Sequence, residues 1–212
     1  MRAKSSEAKQ EPGDRTFIEA ARRAQIVAAA IDVLAEVGHA KATFTRIARK
    51  AGLSSTGMIS YHFAGKDDLM REVVAEVLRT AEGYMRPRIE AHTTASGRLR
   101  AHIESNVELL VEFPGYLPAL VEVLANDRCD DRTAREFTGA TETMNHVLAE
   151  AMRRAQAAGE FREFDPETMT LALRGSIDAL IGRAARDPRF DALAHGRALA
   201  DIFDHATRRT TS

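Results

Sequence analysis

Apolar positions fall three and four apart along almost the whole chain, a spacing that predicts helices rather than strands. Phe17, Ala21, Ile26, Ala29, Ala30, Val33, Leu34 and Val37 form a first long stripe. Gly38 follows it, where a left-handed residue closes a helix at least cost. Thr43 offers an N-cap for a short helix with Phe44, Ile47 and Ala48 turned inward. Gly52 breaks that helix, and Leu53-Ser54-Ser55 leads into another short one ending near Phe63. Lys66-Asp67-Asp68 opens a long helix with Leu69, Val73, Val77, Leu78 and Met85 inside, its aspartates at the positive end of the dipole. Pro87 is expected to kink or end it.

The remainder reads as helix too. Leu99, Ile103, Val107 and Leu110 form one stripe, Pro114-Gly115 a break, and Tyr116 to Asn126 a shorter element. A stripe from Phe137 to Met152 is closed by Gly159. Asp165-Pro166 is a helix start, an N-cap followed by proline at the first helical position. Asp187-Pro188 breaks again before Leu199, Ile202, Phe203 and Ala206. No alternating strand pattern or repeat stands out. The expected fold is all-α with about nine helices. Residues 1–16 are polar, lack periodicity and contain Pro12-Gly13; they predict a disordered tail, with a basic arm in a DNA minor groove as the alternative.

Composition narrows the function. With 212 residues, 44% hydrophobic and 29% charged, the chain is of ordinary globular make-up. A single cysteine, Cys129, excludes an internal disulfide and a cysteine-paired zinc finger. The longest uncharged run, Ala51 to Gly65, is too short and polar to span a bilayer, and Met1 to Gln10 holds no apolar stretch like a secretory signal. A cytoplasmic protein with no membrane partner is the expectation. The net charge of −1 hides an asymmetry: residues 1–66 hold 11 basic and 6 acidic residues, +5, and all five lysines, leaving −6 for the rest. That division hints at a polyanion-facing module joined to one with another task. No phosphate loop, HExxH, Gly-x-Ser-x-Gly or histidine–cysteine cluster is present, so neither an enzyme, a metal nor a cofactor is expected.

A long helix, a short helix, a glycine turn and a second short helix make a helix-turn-helix, whose last helix enters the major groove. Here that helix, roughly Thr56 to Tyr61, is small and nearly uncharged at its start. Close approach and hydroxyl contacts to bases or phosphates suit such a surface. Tyr61, His62 and Lys66 at its end suit phosphate oxygens.

The runs Thr43-Phe44-Thr45-Arg46-Ile47-Ala48, Ala51-Gly52-Leu53-Ser54, Ile59-Ser60-Tyr61-His62-Phe63 and Gly65-Lys66-Asp67-Asp68-Leu69 resemble the amino-terminal domain of TetR-family transcriptional regulators. The resemblance covers residues 17 to about 70. It implies a helix-turn-helix DNA-binding domain at 17–65 and a ligand-sensing, dimerising helical domain at 66–212. Thr43 would cap the first short helix near phosphate, and Thr45 and Arg46 would face the groove. Ser55, Thr56, Gly57, Met58 and Ser60 would form the recognition helix and the approach to it. Tyr61, His62 and Lys66 would hold the backbone, and Phe63 would pack inside. The segment between Gly52 and Tyr61-His62 is one residue longer than the commonest pattern, so the helix begins at Ser55 or at Thr56.

The last two long helices, Asp165 to Arg186 and Phe190 to Arg208, would pair across a two-fold axis. Leu173, Ile177, Leu180, Ile181, Leu199, Ile202 and Phe203 are candidates for the seam, or else pack within their own monomer. A pocket for an apolar or amphipathic effector would be lined by Phe113, Tyr116, Leu120, Phe137, Met144, Met152 and Met169, with His102, Asn106, His146 and Arg174 as orienting groups, unless these stripes are plain core. The reading is a ligand-responsive homodimeric regulator, most naturally a repressor, of a palindromic double-stranded DNA operator. The alternative is an all-helical interaction adaptor without specific DNA binding.

Overall fold

The computed structural model describes residues 12–125 and 131–209, with side chains from residue 17 in the first stretch and from residue 132 in the second. Residues 1–11 of the expected tail, and Cys129, lie outside the described residues. Among those described, the fold is nine α-helices and no strand: α1 (Pro12–Val37), α2 (Phe44–Lys50), α3 (Gly57–His62), α4 (Lys66–Glu90), α5 (Ala95–Glu112), α6 (Tyr116–Leu124), α7 (Asp131–Ala157), α8 (Pro166–Arg186) and α9 (Ala192–Thr207). A single 3-10 turn, His39–Lys41, joins α1 to α2.

The helix starts are written in side chains. Thr43, Thr94, Asp165 and Asp191 each accept a hydrogen bond from the backbone N–H three residues on, serving donors the first turn leaves unpaired. At the end of α2, Gly52 takes φ +66°. Its N–H donates to the Arg49 carbonyl (3.2 Å) and the Leu53 N–H to the Ala48 carbonyl (2.8 Å). These are the paired bonds of a Schellman stop, and the space beside Gly52 is open, so its conformation alone demands glycine.

Two boundaries depart from the pattern. α1 begins at Pro12, taking in residues 12–16 of the expected tail. Proline suits a first helical position, where no N–H is needed; apolar spacing marks where a helix becomes buried, not where it begins. Pro87 does not end α4, which continues to Glu90. Its missing N–H deprives only the Gly83 carbonyl of its helical donor, and both residues are exposed, where solvent can serve that carbonyl.

Two cores form. The first gathers Ile26, Val27, Ala30, Ile31 and Leu34 of α1, Ile47 and Ala48 of α2, Ile59 of α3 and Phe63. It continues into Leu69 to Val77 of α4 and Ala119 and Val123 of α6. The three short-range helices are too small to bury a core alone, and α4 and α6 complete it. The second gathers Leu99, Ile103, Met152, Ala155, Phe161, Leu173, Ile177, Ala200 and Phe203 from α5, α7, α8 and α9.

Candidate nucleic-acid interface and the helical body behind it

Thr43 caps α2 as expected, its hydroxyl accepting from the Arg46 N–H at 3.4 Å. Thr45, Arg46 and Arg49 are exposed beyond it. Lys41, Arg46 and Arg49 have no ion pair among the described residues, which leaves their charge available. Lys50 is committed elsewhere, to Glu36 (2.5 Å) and Asp32 (3.6 Å) of α1.

Thr56 is the N-cap of α3 and Gly57 its first helical residue, one position later than the expected start. One face of this helix is closed: Ile59 is fully buried and Phe63, its C-cap, nearly so. The other is open, with Ser55, Gly57, Met58, Ser60 and Tyr61 exposed, Tyr61 by 72%. His62 is half-buried, edge-on to the Tyr61 ring at 5.0 Å. The Tyr61 hydroxyl stands 3.5 Å from a Glu19 oxygen of α1.

Lys66 is placed differently from the expectation. Its ammonium is half-buried and donates to the His39 carbonyl at 2.6 Å. Burial pushes its pKa down. It fastens the start of α4 to the 3-10 turn instead of pointing outward with Tyr61.

What holds the two short helices was not read from the sequence. Arg23 of α1 lies with its guanidinium carbon 4.3 Å from the Phe63 ring centre. It donates to the His62 carbonyl (2.8 Å) at the end of α3 and to Glu72 of α4 (2.6 Å). Glu72 also accepts from Arg79 at 2.8 Å. Burial pushes the Glu72 carboxyl up, but the Arg23 and Arg79 hydrogen bonds outweigh it and hold it below its ordinary value. Gln25 donates to the Ala51 carbonyl at the end of α2 (2.6 Å). Arginine and glutamine on the polar side of an amphipathic helix carry no signal of this role in their spacing.

A second clasp reaches the module from α6. The Glu122 carboxylate accepts the His39 N–H at 2.8 Å, so the peptide groups on both sides of His39 are held, one from α4 and one from α6. Gly38 sits beside it at φ +76°, ψ 167°, a region essentially confined to glycine. A methyl group there would lie 2.9 Å from the Glu122 oxygen.

In the body, the expected pocket residues do not converge. Tyr116, Leu120 and Phe137 pack against the first core, whereas Met152 and Met169 belong to the second. Met144 is exposed by 37%. Phe113 meets Tyr84 and Tyr116 through ring contacts. Met152 is buried among the apolar side chains of the second core. Of the polar candidates, His146 is exposed and Arg174 is paired with Asp178 at 2.7 Å. Asn106 donates to the His102 carbonyl at 2.8 Å. His102 is half-buried beside Arg174, and loss of solvent first, then that charge, lowers its pKa to about 4. A crevice of about 320 Å³ lies elsewhere, where Ser96 and Arg100 of α5 meet Glu160, Phe161, Asp204 and Arg208.

The seam candidates also divide. Leu173, Ile177, Leu180 and Phe203 are buried within the chain's own fold, and Ile181 and Leu199 pack against that core. Their hydrophobicity is spent inside. Ile202, exposed by 62%, and Leu171, exposed by 73%, face outward from α9 and α8. Among the described residues there is no metal-binding cluster of histidine, cysteine or carboxylates, and no helix long and apolar enough to cross a membrane.

A short helix with one buried seam and one open polar face, set behind a glycine stop and fastened at its end from α1, defines a helix-turn-helix module on an all-α body. Residues 26–73 match the family described as bacterial regulatory proteins, tetR family. The chain is 36% identical over 92 residues to the HTH-type transcriptional regulator BetI of Stenotrophomonas maltophilia (strain R551-3), covering 43% of this chain and 46% of that protein. It is 29% identical over 189 residues to BetI of Cronobacter sakazakii (strain ATCC BAA-894), covering 86% and 88%. The match spans less than half the length of the first of these relatives. Among solved structures, a putative transcriptional regulator from Saccharomonospora viridis in complex with choline superposes with a TM-score of 0.80 at 21% identity, covering 90% of this chain and all of that one. FadR from Bacillus subtilis in complex with stearoyl-CoA gives 0.71 at 22%, covering 84% and 96%. Residues 26–73 are thus similar to the amino-terminal module of the tetR family of bacterial regulatory proteins, and the whole fold to that of solved transcriptional regulators.

Proposed function

We propose that this protein is a DNA-binding transcriptional regulator. Two copies seat their α3 helices in successive major grooves of a palindromic operator, repress transcription there, and leave when a small-molecule effector binds the helical body. The observation that carries the reading is the open face of α3. Ser55, Gly57, Met58, Ser60 and Tyr61 are exposed together while Ile59 anchors the helix, and the unpaired Arg46 and Arg49 flank them for phosphate contact. The division into a DNA-binding module through residue 65 and a sensing and dimerising body from 66 follows from the same reading.

The dimer forms through the outer faces of α8 and α9. Leu171 and Ile202 are the large apolar groups exposed there, and small residues at Gly175 and Ala179 allow close helix approach. Effector binding tilts α4 and α6 against the 3-10 turn through Lys66 and Glu122, changing the separation of the two α3 helices. A coupling of about 1–3 kcal/mol suffices to loosen the complex, and by linkage the operator loosens the effector equally. Structural relatives bound to stearoyl-CoA and to choline support an amphipathic or cationic effector.

The test is selection of the purified protein on random duplexes at two salt concentrations. A palindromic sequence that survives the higher salt is expected. Binding without any preferred sequence, abolished by modest salt, would leave only charge attraction and favour an interaction adaptor.

A further inference from the structure

Two residues of α1 hold the far ends of the two short helices. Gln25 donates to the Ala51 carbonyl behind α2 at 2.6 Å, and Arg23 donates to the His62 carbonyl of α3 at 2.8 Å. The grips differ in kind. Gln25 makes one neutral bond, whereas Arg23 lays its guanidinium carbon 4.3 Å from the Phe63 ring centre and reaches Glu72 of α4 at 2.6 Å. Helices α1, α3 and α4 therefore meet on one planar cation. It stands at the end of α3, where the last carbonyls lack helical donors and the dipole is negative.

Little else fixes the angle of α3. The helix has six residues, and its apolar anchors are Ile59 and Phe63. Apolar contact fixes depth but has no direction, so it resists rocking weakly, whereas a hydrogen bond is directional. Among the described residues, the other polar contact from α3 to another helix is Tyr61 to Glu19 at 3.5 Å, long for a hydroxyl bond. Glu72 is itself set along α4, because its second oxygen accepts from Arg79 at 2.8 Å.

We propose that Arg23 is a positioning residue for sequence reading: acting through the His62 carbonyl, it sets the angle at which α3 meets the groove, and Glu72 fixes it to α4. The inference rests on the DNA-binding reading and adds to it a residue that touches no DNA. Phosphate contacts seat a protein on any duplex, whereas base contacts need the helix at its proper angle. Loss of the tie therefore lowers selectivity and not attraction to DNA.

The purified chain is titrated onto its selected duplex and onto a scrambled duplex of equal length at matched salt. Arg23→Lys keeps the charge but has no planar fork to serve ring, carbonyl and carboxylate together. Glu72→Gln removes the charge that holds the guanidinium. Each should reduce the ratio of selected to scrambled affinity about tenfold, the worth of one base contact. Scrambled affinity and its salt slope should stay within about twofold. Arg79→Gln removes the other partner of the same carboxylate without reaching α3, and should keep the ratio. In the free protein, amide exchange at Phe63, whose N–H donates to the Ile59 carbonyl at 2.9 Å, should quicken in Arg23→Lys and Glu72→Gln, while exchange at Ala51 stays slow. A ratio or a Phe63 exchange rate unchanged in both variants, an equal fall in Arg79→Gln, or a parallel loss on both duplexes that tracks the melting temperature would each overturn the proposal. A natural chain that prefers no duplex would overturn the DNA-binding reading itself, and this proposal with it.

Discussion

Replacing Gly38 by alanine tests the joint between the helix-turn-helix and the body. Its φ of +76° and ψ of 167° lie where a side chain costs about 1–3 kcal/mol. The added methyl would also stand 2.9 Å from the Glu122 carboxylate, displacing it from the His39 N–H. That charge-assisted bond is partly solvated and contributes about 1 kcal/mol. Gly38→Ala is therefore expected to lower unfolding stability by about 2–4 kcal/mol, and Glu122→Ala alone by about 1 kcal/mol. The two costs overlap, because once Glu122 is gone the methyl has nothing to displace. Urea unfolding of both single variants and the double variant closes a cycle, whose coupling should be about 1 kcal/mol in the sense that the double variant is less damaged than the sum. Strict additivity, or a Gly38→Ala cost below about 0.5 kcal/mol, would refute the reasoning.

Three further expectations follow from the same geometry. His102 is neutral in the fold with its pKa lowered to about 4 from 6.5, so the unfolded chain takes up a proton first. Stability present above pH 6.5 should fall as pH drops towards 4, by up to about 3 kcal/mol. His102→Gln should flatten that slope in urea titrations across the range, and an unchanged slope would place the proton uptake elsewhere. Arg46→Ala should reduce the salt dependence of DNA binding by about one counterion, whereas Lys66→Ala should leave that slope alone and lower the melting temperature, since its ammonium is bonded to His39; a reduced slope for Lys66→Ala would show that it meets phosphate after all. Ile202→Asp should give folded monomers in sedimentation, while Phe203→Asp should fail to fold, because Ile202 is 62% exposed and Phe203 6%; a folded Ile202→Asp dimer would move the seam.

Much of the architecture was legible because helix boundaries are chemical. Gly52, Thr43 and the Asp165-Pro166 pair announce stops and starts through conformations and hydrogen bonds that belong to single residues. The open face of α3 was legible for the same local reason. Which side of α8 or α9 faces inward was not, since Leu173 and Leu171 differ in burial but not in chemistry, and only the neighbours decide between them. Lys66 reads in the sequence as a phosphate ligand because it follows a recognition helix, whereas its bond to the His39 carbonyl reaches across the fold, where spacing carries no information. Arg23, Gln25 and Glu122 stayed hidden because each acts across a long stretch of chain, where spacing carries no information.

The shared first core has a practical consequence for building chimaeras. Its apolar residues come from α1 to α4 and, after a detour through α5, from Ala119 and Val123 of α6. A new reading head grafted at residue 65 would arrive with its floor missing. A transplant that keeps the floor must carry the first half of α4 and the inward face of α6 along with the head, which makes the joint a matched surface rather than a cut in the chain.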